Sequence, residues 1–457
     1  MIPAQDAVDL VLAAAATSGR CDETIVIVTD RAEASLRWAG NSMTTNGVST
    51  SRSTAVISIV RKGDTAHVGA LRSSVVDPDA VDGLVAASAD AAHAAPEAHD
   101  AALLTPGSGS PADWGDPVPG TGAGAFAEVA RALSAGFGRS DRLYGFAHHV
   151  VETTFLATST GLRRRFTQPT GSVEINAKRA DASAWAGIGT PWFAEVPVDS
   201  MLADLAMRLD WAKRTVELPA GRYETLMPPT TVADMMIYLG WSMDGRGAQE
   251  GRTALSAPGG GTRVGEKLTD LGLTMYSDPF AGGLECSPFV HTAAGSERMS
   301  VFDNGMDISR VDWIRDGTIS SLVYPRAAAA EFGTTAAVPA DNLLMTGGSA
   351  DLADMVAATE RGLLLTTLWY IRTVDPATLL LTGLTRDGVY LIEDGEITAA
   401  VNNFRFNESP LDLLRRATEA GVPEPTLPRE WSDWATRAVM PTLRIPDFHM
   451  SSVSQAQ

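Results

Sequence analysis

The chain has 457 residues, 45% of them hydrophobic and 20% charged, which supplies a substantial core and excludes wholesale disorder. Its formal net charge is −19, and its densest basic cluster is only Arg163, Arg164 and Arg165, so it lacks the basic face of a nucleic-acid binder and disfavours anionic membranes. The two cysteines, Cys21 and Cys286, are far apart, form no disulfide framework or metal-ligand spacing, and suit a reducing cytoplasm; no signal peptide or membrane span is read from the sequence.

In chain order, residues 4–18 read as a helix with Val8, Leu10, Val11 and Leu12 on its apolar side and Gly19 as its stop. Glu23–Asp30 and Ser35–Trp38 read as two strands, and Asn46-Gly47 as a turn of positive φ. Residues 53–60 and 65–71 predict a hairpin across Lys62-Gly63-Asp64. A helix over 77–95 starts with Asp77 as its cap and Pro78 in its first turn. Residues 96–120 predict a long surface loop and 124–137 an amphipathic helix. From 143 to 190 the apolar period shifts to two, predicting an antiparallel meander, and 201–214 returns to a helix. The fold class is therefore α+β with two domains, an N-terminal α/β domain over 1–217 with a mostly antiparallel sheet and a β-rich, barrel-like domain over 218–457. In the latter, a helix over 230–243 precedes a glycine-rich segment, then short strands with Asp-Gly turns at 316, 387 and 394. A helix over 411–420 and an irregular tail over 421–457 complete the chain.

No local motif carries chemistry by itself. The seven histidines contain no i,i+4 pair, and adjacent His148 and His149 point to opposite faces of a strand. The segment Gly260–Lys267 imitates a phosphate loop, but Glu266 stands where lysine is needed. Cys286 has His291 five residues on, a pairing that reads first as an inert thiol and second as a nucleophile with its base. The loop carrying Gly259, Gly260, Gly261 and Arg263 reads either as a mobile surface loop or as a segment meeting a cleft or partner.

Four segments in order resemble the TldD/PmbA family, also called the modulator of DNA gyrase family. They are Arg37–Gly47 (RWAGNSMTTNG), the run from Leu226 through Pro228-Pro229 and TVADMMIYLGWSMDG to Lys267, Leu273–Pro279 (LTMYSDP), and Thr382–Ile397 (TGLTRDGVYLIEDGEI). The resemblance implies an intracellular two-subunit protease acting on small or unfolded peptides. Its TldD-type subunit holds zinc with an H-E-x-x-x-H helix and a cysteine of the C-terminal half. Here the corresponding helix, Asp234 to Met243, has no histidine and no glutamate, and the C-terminal third has no cysteine. Without imidazole or thiolate the ligand set fails. The chain thus resembles the PmbA/TldE-type subunit. The expectations are no catalytic or metal residue in this chain, zinc in a TldD-like partner, a heterodimer and a peptide substrate. The competing readings are a homodimeric peptide-binding scaffold and a metal-independent hydrolase using Cys286.

Overall fold

The computed structural model describes residues 2–74, 76, 78–139 and 141–454; the predicted cap Asp77 lies outside them. Helix α1 (Ala4–Ser18) buries Ala4, Ala7, Val8, Val11 and Ala15 along one side and ends at Gly19, whose φ of 58° is the left-handed stop. Where two short strands are expected, one strand β1 runs unbroken over Glu23–Ala39. The charges at Arg31 and Glu33 suggest an interruption, yet both point to the same face while Ala32 and Ala34 point to the other, so pleating accommodates them. The chain reverses at Gly40 and Asn41, with φ of 59° and 64°, and not at Asn46-Gly47, which pairs with Leu36 and Ser35 inside strand β2 (Met43–Lys62). Asn41 holds this turn by accepting from the Leu143 amide at 2.6 Å and donating to the Asp141 carbonyl at 2.9 Å.

The predicted hairpin joins β2 to β3 (Thr65–Ser73). Helix α2 (Val81–Ala94) is shorter than expected at its start. After the long loop, helix α3 (Ala127–Gly136) leads into the predicted meander of β4 (Arg142–Thr158), β5 (Arg163–Arg179) and β6 (Ala182–Gly189). The resulting sheet is antiparallel throughout, in the order β3-β2-β1-β4-β5-β6. Even-numbered β1 residues face the helices. Val26 and Val28 pack with α1 and α2, and Ala34, Leu36 and Trp38 with α3 and helix α4 (Val198–Trp211). On the opposite face, Ile25 and Ile27 are covered by Phe289 and Phe302 from the second half of the chain. Further along that face Arg31 joins Glu33 at 3.0 Å and Glu152 at 2.9 Å, and His148 lies 2.8 Å from Glu33. As expected from alternation, His149 is turned the other way, buried against Phe193 and bonded to the Thr121 hydroxyl at 2.6 Å.

The second half is a large mixed sheet, fourteen strands among the described residues. Strand β7 (Thr215–Val216) already belongs to it, running parallel to Glu396–Val401. Strand β8 (Gly221–Met227) leads into helix α5 (Pro229–Trp241). The expected irregular tail is instead a strand in the middle of this sheet. Ala438–Val453 pairs with β8, with Glu419–Thr426 and with Phe404–Glu408. Prolines mask it in the sequence, because each removes a ladder donor. Pro441 lies opposite Pro423, and a register shift between Ile445 and Phe448 carries Pro446 past β8. Helix α5 and the buried Met440, Leu443, Ile445 and Phe448 share one core.

Candidate functional site

The helix that the sequence singles out, α5, is packed on nearly every side. Val232, Ala233, Met235, Met236, Ile237 and Leu239 are all buried, so it behaves as a core helix. Its one carboxylate, Asp234, is fully buried. One oxygen accepts from the Glu430 amide at 3.0 Å and the other has no hydrogen-bond partner among the described residues. Burial, aided by the negative charge of Glu430, pushes this carboxyl well above the usual carboxylate range against the opposing pull of Arg429. Trp431 closes over the helix, donating from its indole to the Asp234 carbonyl at 2.8 Å and meeting Trp241 edge-on at 4.9 Å. A lone, engaged carboxylate without imidazole or thiolate beside it does not fit a zinc site. Among the described residues no group of three or more His, Cys, Asp or Glu side chains is arranged to hold a metal ion.

The raised proton affinity of Asp234 gives a pH test. A carboxyl whose folded pKa is raised contributes stability that is fully present below its unfolded pKa and is lost as pH rises through the folded one. Asp234→Asn keeps the acceptor for Glu430 and removes the titration. The variant is expected to unfold roughly 2–6 °C higher than the parent at pH 8 and together with it near pH 4, read from melting curves across that range.

The exposed end of α5 opens onto a cleft. Arg298 caps the helix, donating to the carbonyls of Gly240 at 2.7 Å and Trp241 at 3.0 Å, satisfying two acceptors that a helix end leaves free. Burial lowers this guanidinium to about 10, and the charge of Asp244 opposes that shift. Ile237, Trp241, Arg298 and Trp434 line a cavity of about 260 Å³. A second cavity of about 250 Å³ lies between β4 and β5 of the first sheet, which contribute Glu152 and Gln168, and the 287–308 segment, which contributes His291. Met299, Pro339 and Asp341 line both, so the two cavities adjoin in one cleft region where the halves of the chain meet. Arg437 ties that junction: its buried guanidinium donates to the Pro169 carbonyl, to the Thr170 hydroxyl at 2.6 Å and to Asp341 at 3.3 Å.

The residues weighed in the sequence lie elsewhere or are already engaged. Gly259, Gly260 and Gly261 form an outward hairpin tip, each with positive φ, closed by the Ala257 amide on the Gly261 carbonyl at 2.9 Å. Arg263 is held there by both oxygens of Glu266, at 2.6 and 2.7 Å, and by the Ala254 carbonyl. None of the four lines the cleft. Cys286 is 1% exposed, among Val290, Ile308, Val338 and Ala340. Burial pushes its thiol up to about 12, so it is protonated and unreactive at neutral pH. His291 does line the cleft. Glu152, Gln168, Arg298, Asp341 and Arg437 were not singled out, because they come from five distant segments with no shared local motif.

No curated protein sequence matches the chain. Solved structures do. TldE from Thermococcus kodakarensis superposes with a TM-score of 0.80 at 16% identity, covering 97% of this chain and 99% of that one. A protein of Thermotoga maritima designated a candidate modulator of a DNA gyrase gives 0.75 at 14%, with the same coverages. A similarly designated Bacteroides thetaiotaomicron protein gives 0.76 at 13%, covering 98% of each chain. At such identities these likenesses establish the shared fold. The model of the PmbA/TldA metallopeptidase C-terminal domain matches residues 220–452, just over half of the sequence, from the start of β8 through α5 and the cleft to the central strand. By that match the chain belongs to the PmbA/TldD family.

Proposed function

We propose that this chain is the non-catalytic, TldE-type subunit of a heterodimeric metallopeptidase acting on small or unfolded peptides. Zinc and the reacting water belong to a TldD-like partner. The observation that supports this most is α5 itself. The helix on which the family resemblance expects zinc ligands presents apolar side chains to a core, and its single carboxylate is engaged by a backbone amide. The likeness to a protein named TldE supports the same reading. In this proposal the chain divides near residue 217 into its two units and works in the cytoplasm, without nucleic acid or membrane. The 259–263 loop faces the partner. Among the described residues no helix is long and apolar enough to cross a membrane. The Cys286 hydrolase is disfavoured by the protonated, enclosed thiol.

The test is isolation of the chain from its native cells, with mass measurement of the complex, metal analysis and peptide hydrolysis. The expected result is a one-to-one complex with a similar-sized subunit bearing the H-E-x-x-x-H helix, zinc following that subunit, and no hydrolysis by this chain alone. A homodimer that carries stoichiometric zinc, or cleaves peptides unaided, sinks the proposal.

A further inference from the structure

The two adjoining cavities hold opposite charges. Arg298 lines the first only. Its hydrogen bonds go to two backbone carbonyls, and among the described residues it makes no ion pair, so a positive charge faces the cavity without a paired anion. Trp241 and Trp434 stand beside it, 41% and 76% exposed, an uncommon amount of open indole surface for one site.

Glu152 lines the second compartment only and Asp341 the junction. Each carboxylate has one oxygen engaged. Glu152 Oε1 accepts from Arg31 at 2.9 Å, and Asp341 Oδ2 accepts from Gln168 at 3.0 Å and from Arg437. Glu152 Oε2 and Asp341 Oδ1 accept no hydrogen bond from the described residues. Burial is the larger influence on the proton affinity of Asp341 and of His291, raising the first and lowering the second, but the charge of Glu152 acts on each as well, which places the three groups within electrostatic reach. Burial by neighbouring protein shifts the Asp341 carboxyl upward while Arg437 and Gln168 pull it back, and 59% of its side-chain surface stays exposed.

A simple anion entering this cleft meets two carboxylates, and a simple cation leaves Arg298 unpaired. We infer that the cleft binds a small zwitterion with an apolar body, the class of α-amino acids and di- and tripeptides. Its carboxylate sits on Arg298 between the two indoles and its ammonium between Asp341 and Glu152, with Met299 and Pro339 beneath the apolar part. The guanidinium is suited to the carboxylate because its planar donors match the two oxygens. The two cavities together, on the order of 500 Å³, fall within the usual size of small-molecule sites. This inference requires neither a zinc-bearing partner nor proteolysis.

The experiment is calorimetric titration of the isolated chain, in chelating buffer, with leucine, Leu-Phe, N-acetyl-Leu-Phe and Leu-Phe-amide. Leu-Phe is expected to bind, and blocking either end is expected to weaken it by about tenfold or more. Arg298→Gln then weakens free Leu-Phe about as much as amidation does and adds little to the amide. Asp341→Asn behaves the same way toward N-acetylation. Leucine alone against Leu-Phe tells whether the site is filled by an amino acid or a peptide. Because Arg298 also caps α5, the ligand series on the unaltered chain decides even where the variant folds poorly. Equal binding of blocked and free Leu-Phe, or no binding of leucine or Leu-Phe up to about 10 mM, overturns the inference.

Discussion

Replacing Arg437 by methionine is expected to lower the unfolding midpoint by roughly 4–12 °C, the range for a loss of about 2–3 kcal/mol in a unit of this size. Arg437 is 6% exposed and stands immediately before the central strand of the second sheet. Its guanidinium reaches across to the Pro169 carbonyl and Thr170 hydroxyl on β5 while pairing with Asp341. Methionine fills much of the volume but takes the donor from the half-buried Pro169 carbonyl and Thr170 hydroxyl and leaves Asp341 to Gln168 alone, and a group that loses its partner costs more than the net value of the bond itself. Arg437→Lys keeps the charge and loses the planar fork, so it should fall between the two. Melting at one fixed scan rate suffices for the comparison, since a chain of two large sheets need not unfold reversibly. A methionine variant melting within about 2 °C of the parent shows that the halves are held by other contacts.

Gly189→Ala carries the second large effect. Gly189 ends β6, and a Cβ built on it lies 2.0 Å from the Thr436 carbonyl oxygen, a backbone atom that cannot rotate aside. Thr436 stands between Ala435 and Arg437, both of which line the cleft. One methyl group therefore pushes the first sheet away from the cleft wall. The expected cost is about 1–3 kcal/mol, with faster hydrogen exchange in the peptides covering 430–440 than in α1. Gly83→Ala is the control. It lies within α2, meets nothing within 4 Å, and is expected to stabilise by up to ~1 kcal/mol through helix propensity alone. Unchanged exchange at 430–440 in the Gly189 variant contradicts the contact.

Both effects concern a junction that no short stretch of sequence announces. Local patterning predicted α1 to its exact bounds, the β2–β3 hairpin, the β4–β6 meander and α5, because each depends on neighbours within a few turns or pleats. It misread β1 as two strands, since Arg31 and Glu33 resemble a loop until their common face is seen. It also missed the Ala438–Val453 strand, whose prolines are tolerated only because the facing positions need no donor or lie beyond a register shift.

The same division holds for the site. The types of residue on α5 are legible from sequence alone: a helix without imidazole, thiolate or glutamate offers zinc no sufficient ligand set, whatever surrounds it. Family membership was likewise legible, from segments that keep their order along the chain. The state of each reactive group was not. Burial is what keeps Cys286 protonated and raises the proton affinity of Asp234, and burial depends on what lies across the fold. The cleft depends still more on tertiary structure. Glu152, Arg298, Asp341 and Arg437 are separated by tens to hundreds of residues and meet only where one face of the first sheet closes on the second. Sequence determined which side chains were present; the packing of the two sheets decided which charges were paired internally and which were left facing the cleft.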